Sequence, residues 1–329
     1  MAKVHAWALA AALTPALALS AACTSSNAVN KPPAQQGAGG SGKYGYRIAV
    51  VTHGAAGDAF WSIVKAGAQK GGADMGDNVS YESDGDPQKQ AQLIDAAVNQ
   101  KVDGLVVSMA NPDALKASIQ RAVAAGIPVV TINSGLARSK EFGALTHVGS
   151  DETLAGNAVG NQLKAAGAKN VICVVHEAGN VGLEQRCAGV RSTLGGTVTN
   201  LQVDNNNLPA AQATIKAKLQ QDKTIDGVVT LGGQVATVAE QAIADAASAA
   251  KLATFDLNAD VAKAVESGKI AFAVDQQPYL QGYLPVVMLT LYKANLNVVG
   301  GGQPVLTGPT LVTKDNAAQI EKLAAAGTR

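Results

Sequence analysis

The chain has 329 residues, 47% of them hydrophobic, and its 26 basic and 25 acidic side chains leave a formal net charge of +1. Charges of both signs are interspersed, which excludes the basic footprint of a nucleic-acid binder and any polybasic membrane patch. The length suits two domains of ordinary size, each able to bury a core without a structural metal or a disulfide framework.

The N-terminus carries Lys3, an apolar run from Ala6 to Leu19, and then Ser20-Ala21-Ala22-Cys23. This run is short for a bilayer span, and small residues at 20 and 22 suit a signal-peptidase pocket, so residues 1–22 read as an export signal cut before Cys23. The segment resembles the bacterial lipoprotein signal, although Ser20 stands where that signal usually has Leu. The resemblance implies a lipid on Cys23 that anchors the protein to the outer face of the cytoplasmic membrane, with ordinary cleavage at the same bond as the alternative. Residues 23–43 are rich in Ser, Asn, Pro, Gln and Gly without apolar periodicity, the composition of a flexible tether.

From Tyr44 onward, short β-branched runs alternate with longer Ala-, Lys- and Gln-rich stretches. The predicted strands are Tyr46–Val51, Gly104–Ser108, Ile127–Ile132, Asn170–Val175, Gly227–Leu231, Leu252–Phe255 and Ala271–Val274. Such alternation predicts parallel strands joined by helices. Asp86-Pro87 and Asn111-Pro112 each place a capping side chain before a proline suited to a first helical turn, and Gly126 stops the second of these helices.

A repeat organises the whole. Val102-Asp103-Gly104-Leu105-Val106-Val107 is echoed by Ile225-Asp226-Gly227-Val228-Val229-Thr230, and Asn133 follows Asp103 at the spacing at which Asp256 follows Asp226. Two similar α/β lobes follow from this, with Asn133 and Asp256 just beyond strand ends, at the carboxyl edges where open parallel sheets bind ligands. Cys173 and Cys187 are the remaining pair once Cys23 is set aside, predicting a disulfide in an oxidising compartment, with two buried free thiols as the alternative.

Read together, Arg47–Val51 followed by Asp58-Ala59-Phe60-Trp61, the Asp103-Gly104 strand, Gly126–Asn133, His147–Asp151 and Phe255-Asp256 resemble the type I extracytoplasmic solute-binding proteins of sugar ABC transporters, the ribose- and galactose-binding group. The likeness runs from about Tyr46 to Asn316. It implies an α/β fold of two doubly wound parallel-sheet lobes joined by a three-strand hinge. Lobe 1 is then residues 44–149 plus 278–304, and lobe 2 residues 150–277 plus 305–320. The chain would cross between them near Val148–Asp151, Gln276–Tyr279 and Gln303–Leu306.

The same resemblance nominates Asp58, Asn133, Glu184, Asp256 and Gln276 as hydrogen-bonding partners of ligand hydroxyls, a task suited to groups that share several hydrogen bonds. Phe60 and Trp61, in a chain with 4% aromatic residues, could stack on the C–H face of a sugar or polyol. His53, Arg186, Ser134, Asn205, Asn207 and Gln234 are further candidates on loops at the same edge. Glu184 stands where ribose binders place an arginine, which argues against ribose.

The function implied is the exported substrate-binding component of an ABC importer, a monomer that takes a neutral monosaccharide, polyol or inositol and delivers it to permease subunits. A sensor without transport and a binder of a cationic small molecule are the alternatives. No cofactor or metal is expected. The Gly-rich stretches at 54–57 and 232–233 lack phosphate-loop endings and read as turns that let a ligand approach the backbone. No nucleophile, base and orienting group come together, so an enzyme is not expected.

Overall fold

The computed structural model describes residues 44–55 and 57–329; the expected signal, Cys23 and the tether lie outside them. The first half of the chain alternates strand and helix: β1 (Arg47–Thr52), α1 (Ala59–Met75), β2 (Asn78–Ser83), α2 (Pro87–Asn99), β3 (Gly104–Ser108), α3 (Pro112–Ala124), β4 (Val129–Ile132), the short α4 (Leu136–Ser139) and β5 (Thr146–Gly149). The pattern then restarts with α5 (Glu152–Ala165), β6 (Asn170–Val175), α6 (Val181–Leu194), β7 (Thr197–Gln202), α7 (Leu208–Gln221), β8 (Gly227–Thr230), α8 (Gly233–Asp245), β9 (Lys251–Phe255), α9 (Ala259–Glu266) and β10 (Phe272–Asp275). It closes with α10 (Pro278–Asn295), β11 (Val305–Leu306), β12 (Thr310–Val312) and α11 (Ala317–Ala325).

These strands form two six-stranded sheets with matching orders, β11-β5-β4-β3-β1-β2 and β12-β10-β9-β8-β6-β7. All pairings are parallel except β10 with β12. Every residue of β1 after Arg47 is buried, as are all of β3, β4 and β8, because helices cover both sheet faces and turn each inner strand into a continuous apolar run. Each sheet carries one apolar cluster on either face, such as Ile94, Leu105 and Ile119 on one side of the first and Val64, Val106 and Leu289 on the other.

The repeat seen in the sequence has a physical counterpart. Asp103 accepts a hydrogen bond from the backbone N–H of Arg47 at 3.0 Å, and Asp226 accepts from that of Asn170 at 2.8 Å, so each aspartate holds the first strand of its own lobe in place. Helix starts follow the expected chemistry. The Asp86 carboxylate accepts from the N–H groups of Gln88 and Lys89, and Asn111 accepts from Ala114, each just before a first-turn proline.

Two crossings between the sheets fall where the resemblance implied, at residues 150–151 and 276–277. The third does not. Val305 and Leu306 pair with Val148 and Gly149, so the first sheet reaches Leu306 and the chain crosses at Thr307–Pro309.

Cys173 on β6 and Cys187, mid-way along α6, form a disulfide with Cα atoms 5.8 Å apart, both residues fully buried. Their separation of 14 residues closes a short loop, for which chain entropy predicts a contribution of about 3 kcal/mol. Replacing both cysteines with alanine is expected to lower the urea midpoint by that amount of stability. An unchanged midpoint would show that the bond does not restrain the unfolded chain.

Candidate functional site

The carboxyl ends of β1, β4, β6, β8, β9 and β10 point at one another across the gap between the two sheets, where residues from both halves line a cavity. The lobes touch around it: the N–H of Val181 donates to the carbonyl of Ala110 at 3.0 Å, and Gln234 Nε2 reaches the carbonyl of Gly57 at 3.4 Å.

Asn133 and Asp256 stand at equivalent places in the two halves, each immediately after a strand, with φ of 61° and 67°. Their N–H groups bond to the neighbouring strand, Asn133 to the carbonyl of Val148 and Asp256 to that of Val274. Neither caps a helix, since Gly135 precedes α4 and Asn258 caps α9. Their side chains are therefore free to face the cavity, and both line it.

The first lobe adds Asp58, Phe60, Trp61 and His53. Asp58 caps α1, accepting from the N–H of Trp61 at 3.2 Å, and burial raises its carboxyl although that N–H opposes the shift. Phe60 and Trp61 meet edge to face at 5.1 Å, and Trp61 meets His53 the same way at 4.7 Å. Trp61 is also a core residue, 6% exposed and packed with Ile48 and Val50. The His53 ring nitrogen Nδ1 lies 2.7 Å from Ser108 Oγ, and burial lowers its basicity.

Glycines here make room for side chains of the site and not only for a ligand. A Cβ on Gly54 would sit 2.3 Å from the Trp61 ring, and one on Gly232 would sit 2.9 Å from that of His176. Any larger residue at either position would push a cavity-lining ring away.

The second lobe contributes a connected polar frame. Arg186, 3% exposed, donates from Nε and Nη2 to the two carboxylate oxygens of Glu152 at 2.5 and 3.0 Å, from Nη1 to the carbonyl of Leu231 at 3.2 Å, and from Nη2 to Gln276 Oε1 at 2.6 Å. The guanidinium also lies over the Phe255 ring, 4.6 Å from its centre. Gln276 then donates through Nε2 to Asp256. Burial pushes the Asp256 carboxyl up to about 7, with Arg186 and Gln276 opposing. Asn205 and Gln234 complete the predicted set on this side.

Three candidates fall elsewhere. Glu184 is on the exposed face of α6, accepting from Asn200 at 3.0 Å, and Arg186 occupies the cavity side of the same helix. The cleft thus holds an arginine after all, and the argument against ribose from its loss falls away. Asn207 is an exposed cap of α7, bonded to the N–H of Ala210. Ser134 is buried behind the cavity, its hydroxyl 3.0 Å from Asn133 Oδ1 and 3.2 Å from Asn180 Oδ1 on the opposite lobe, so it joins the lobes.

Other lining residues were not foreseen. Glu177 and Asn180 follow β6 and lie 3.7 and 3.5 Å from His53 Nε2 across the gap, and Asn258 follows β9. Asn180 and Asn258 are helix N-caps placed just past a strand, a pattern legible in the sequence as Asn before an apolar helical run.

Comparison with known proteins agrees with this geometry. The family described as periplasmic binding protein domain matches residues 48–295. The chain belongs to the periplasmic binding protein family. A carbohydrate transporter from Acidothermus cellulolyticus, solved in complex with myo-inositol, is 47% identical, with a TM-score of 0.85 over 87% of this chain and 100% of its own. The ribose import binding protein RbsB of Haemophilus influenzae is 28% identical over 69% of this chain and 79% of that protein. The xylose/arabinose-binding protein XylF of Sulfolobus acidocaldarius is 24% identical over 60% of this chain, and the match spans about half, 54%, of XylF. Among the described residues, no helix is long and apolar enough to cross a membrane.

Proposed function

We propose that this periplasmic binding protein is the extracytoplasmic substrate-binding component of an ABC importer and that its ligand is a neutral cyclic polyol, myo-inositol or a close relative. The likeness, at 47% identity over 87% of this chain, to a protein holding myo-inositol carries this reading. The cavity supports it, because Trp61 and Phe60 line it together with carboxylate, amide and guanidinium groups suited to ring hydroxyls. Anchoring through a lipid on Cys23 and delivery by a monomer to permease subunits complete the proposal.

A thermal-shift panel of myo-inositol, D-ribose, D-xylose, D-arabinose and D-galactose tests it, since a ligand that binds only the folded state raises the melting temperature by mass action. The largest shift is expected with myo-inositol, together with a change in Trp61 fluorescence. A larger shift with a pentose would reassign the ligand, and no shift with any member would remove the sugar and polyol reading.

A further inference from the structure

Arg186 reaches the cavity with four of its five N–H donors already engaged: two by Glu152, one by the Leu231 carbonyl and one by Gln276. Glu152 itself is not in the cavity wall. It is the first residue of α5, its side chain 2% exposed, and it takes the edge formed by Nε and Nη2. That edge is the part of a guanidinium that grips carboxylates and phosphates with two parallel hydrogen bonds. Burial raises the Glu152 carboxyl while Arg186 opposes the shift, and the two-pronged pairing is that of the ionised form.

A buried arginine with its forked edge free would make this cleft an anion site. Occupied as it is, Arg186 keeps one N–H for a ligand hydroxyl and no uncompensated charge. We propose that Glu152 is a specificity-determining residue, which neutralises Arg186 from outside the cavity and so selects uncharged polyhydroxy ligands over their carboxylate counterparts. The inference rests on the polyol reading of the site. Asp58, Glu177 and Asp256, which line the cavity, discourage anions as well and remain when Glu152 is changed, so the informative quantity is a ratio of affinities.

The experiment is calorimetry of the full mature chain with myo-inositol and with D-glucuronate, for wild type, Glu152→Gln and Glu152→Asp. Wild type is expected to bind D-glucuronate more than tenfold more weakly than myo-inositol. Glu152→Gln should move that ratio at least tenfold toward D-glucuronate, with the gain shrinking at high salt, and Glu152→Asp should restore the wild-type preference. A purely structural role would weaken both ligands together and leave the ratio unchanged, which overturns the proposal. If Glu152→Gln does not fold, the wild-type ratio decides, and D-glucuronate within tenfold of myo-inositol overturns it. Should wild type bind no polyol, the polyol reading fails on its own, and Glu152 is still judged by whether Glu152→Gln gains affinity for D-glucuronate.

Discussion

Asp256→Ala is expected to weaken myo-inositol binding by at least tenfold and up to about a hundredfold, the range for hydrogen bonds made to a charged group in a closed site. Two losses combine. The ligand loses an acceptor, and Gln276 loses the partner that fixes its amide between Asp256 and Arg186. Because burial pushes the Asp256 carboxyl up to about 7, it binds a proton over part of the neutral range. Ligand hydroxyls donating to it favour the carboxylate, so binding should release a proton near pH 7 and tighten as pH rises. Titration calorimetry in buffers of different ionisation enthalpy reads that proton, and Asp256→Asn should abolish its release. Affinity within twofold of wild type in a folded Asp256→Ala protein would place the ligand elsewhere.

His147 is expected to make the fold sensitive to acid. It lies on β5, 3% exposed, with Nδ1 2.9 Å from Thr131 Oγ1, and burial pushes it from 6.5 down to about 4. The folded protein then holds the neutral ring while the unfolded chain takes up a proton below pH 6.5. Stability is fully present above that value and is lost as pH falls toward 4. The shift corresponds to about 3 kcal/mol. His176 is displaced in the same direction and Asp256 in the opposite one, so the clean quantity is the difference between wild type and His147→Gln. Urea midpoints at pH 7, 5.5 and 4 should show wild type losing about 3 kcal/mol more than the variant across this span. Parallel curves would mean that His147 takes up a proton as readily in the folded protein as in the unfolded chain.

Most inner strands were legible because burial on both faces leaves an uninterrupted apolar run, and two of them, Gly104–Ser108 and Asn170–Val175, match the structure residue for residue, whereas β5, between β4 and β11, was not among the predicted strands. The outer strands β2 and β7 were not. They border the sheets, most of their residues are exposed or half-buried, and sequences such as Asn78-Val79-Ser80-Tyr81-Glu82-Ser83 resemble loops. Strands β11 and β12, of two and three residues, carry too little pattern to detect.

Asn133 and Asp256 were legible from the repeat, as residues just beyond a strand, whereas Asp58 and Gln276 were nominated through the resemblance. Glu184 went wrong through helical phase. Leu183, Cys187, Val190 and Leu194 mark the buried face of α6, and Arg186 lies on it, whereas Glu184, two residues away, is turned by about 200°. Asn180 and Asn258 were not nominated, although each is an asparagine just past a strand and before a helix. The structure joins helix capping to cavity lining: Asp58, Asn180 and Asn258 cap helices whose first turns open onto the cavity, and all three line it.

The left-handed backbone at Asn133 and Asp256 limits what mutation can try there. Apart from glycine, asparagine and aspartate are the residues that tolerate φ near +60° readily, and glycine has no side chain to offer a ligand. These two cavity-lining positions therefore favour an amide or a carboxylate of the same length over most other side chains. A lineage of such lobes could diversify its diet at Arg186, Gln276, Phe60 or Gln234, where the backbone accepts most side chains, while Asn133 and Asp256 stay as fixed points on which new specificities are built.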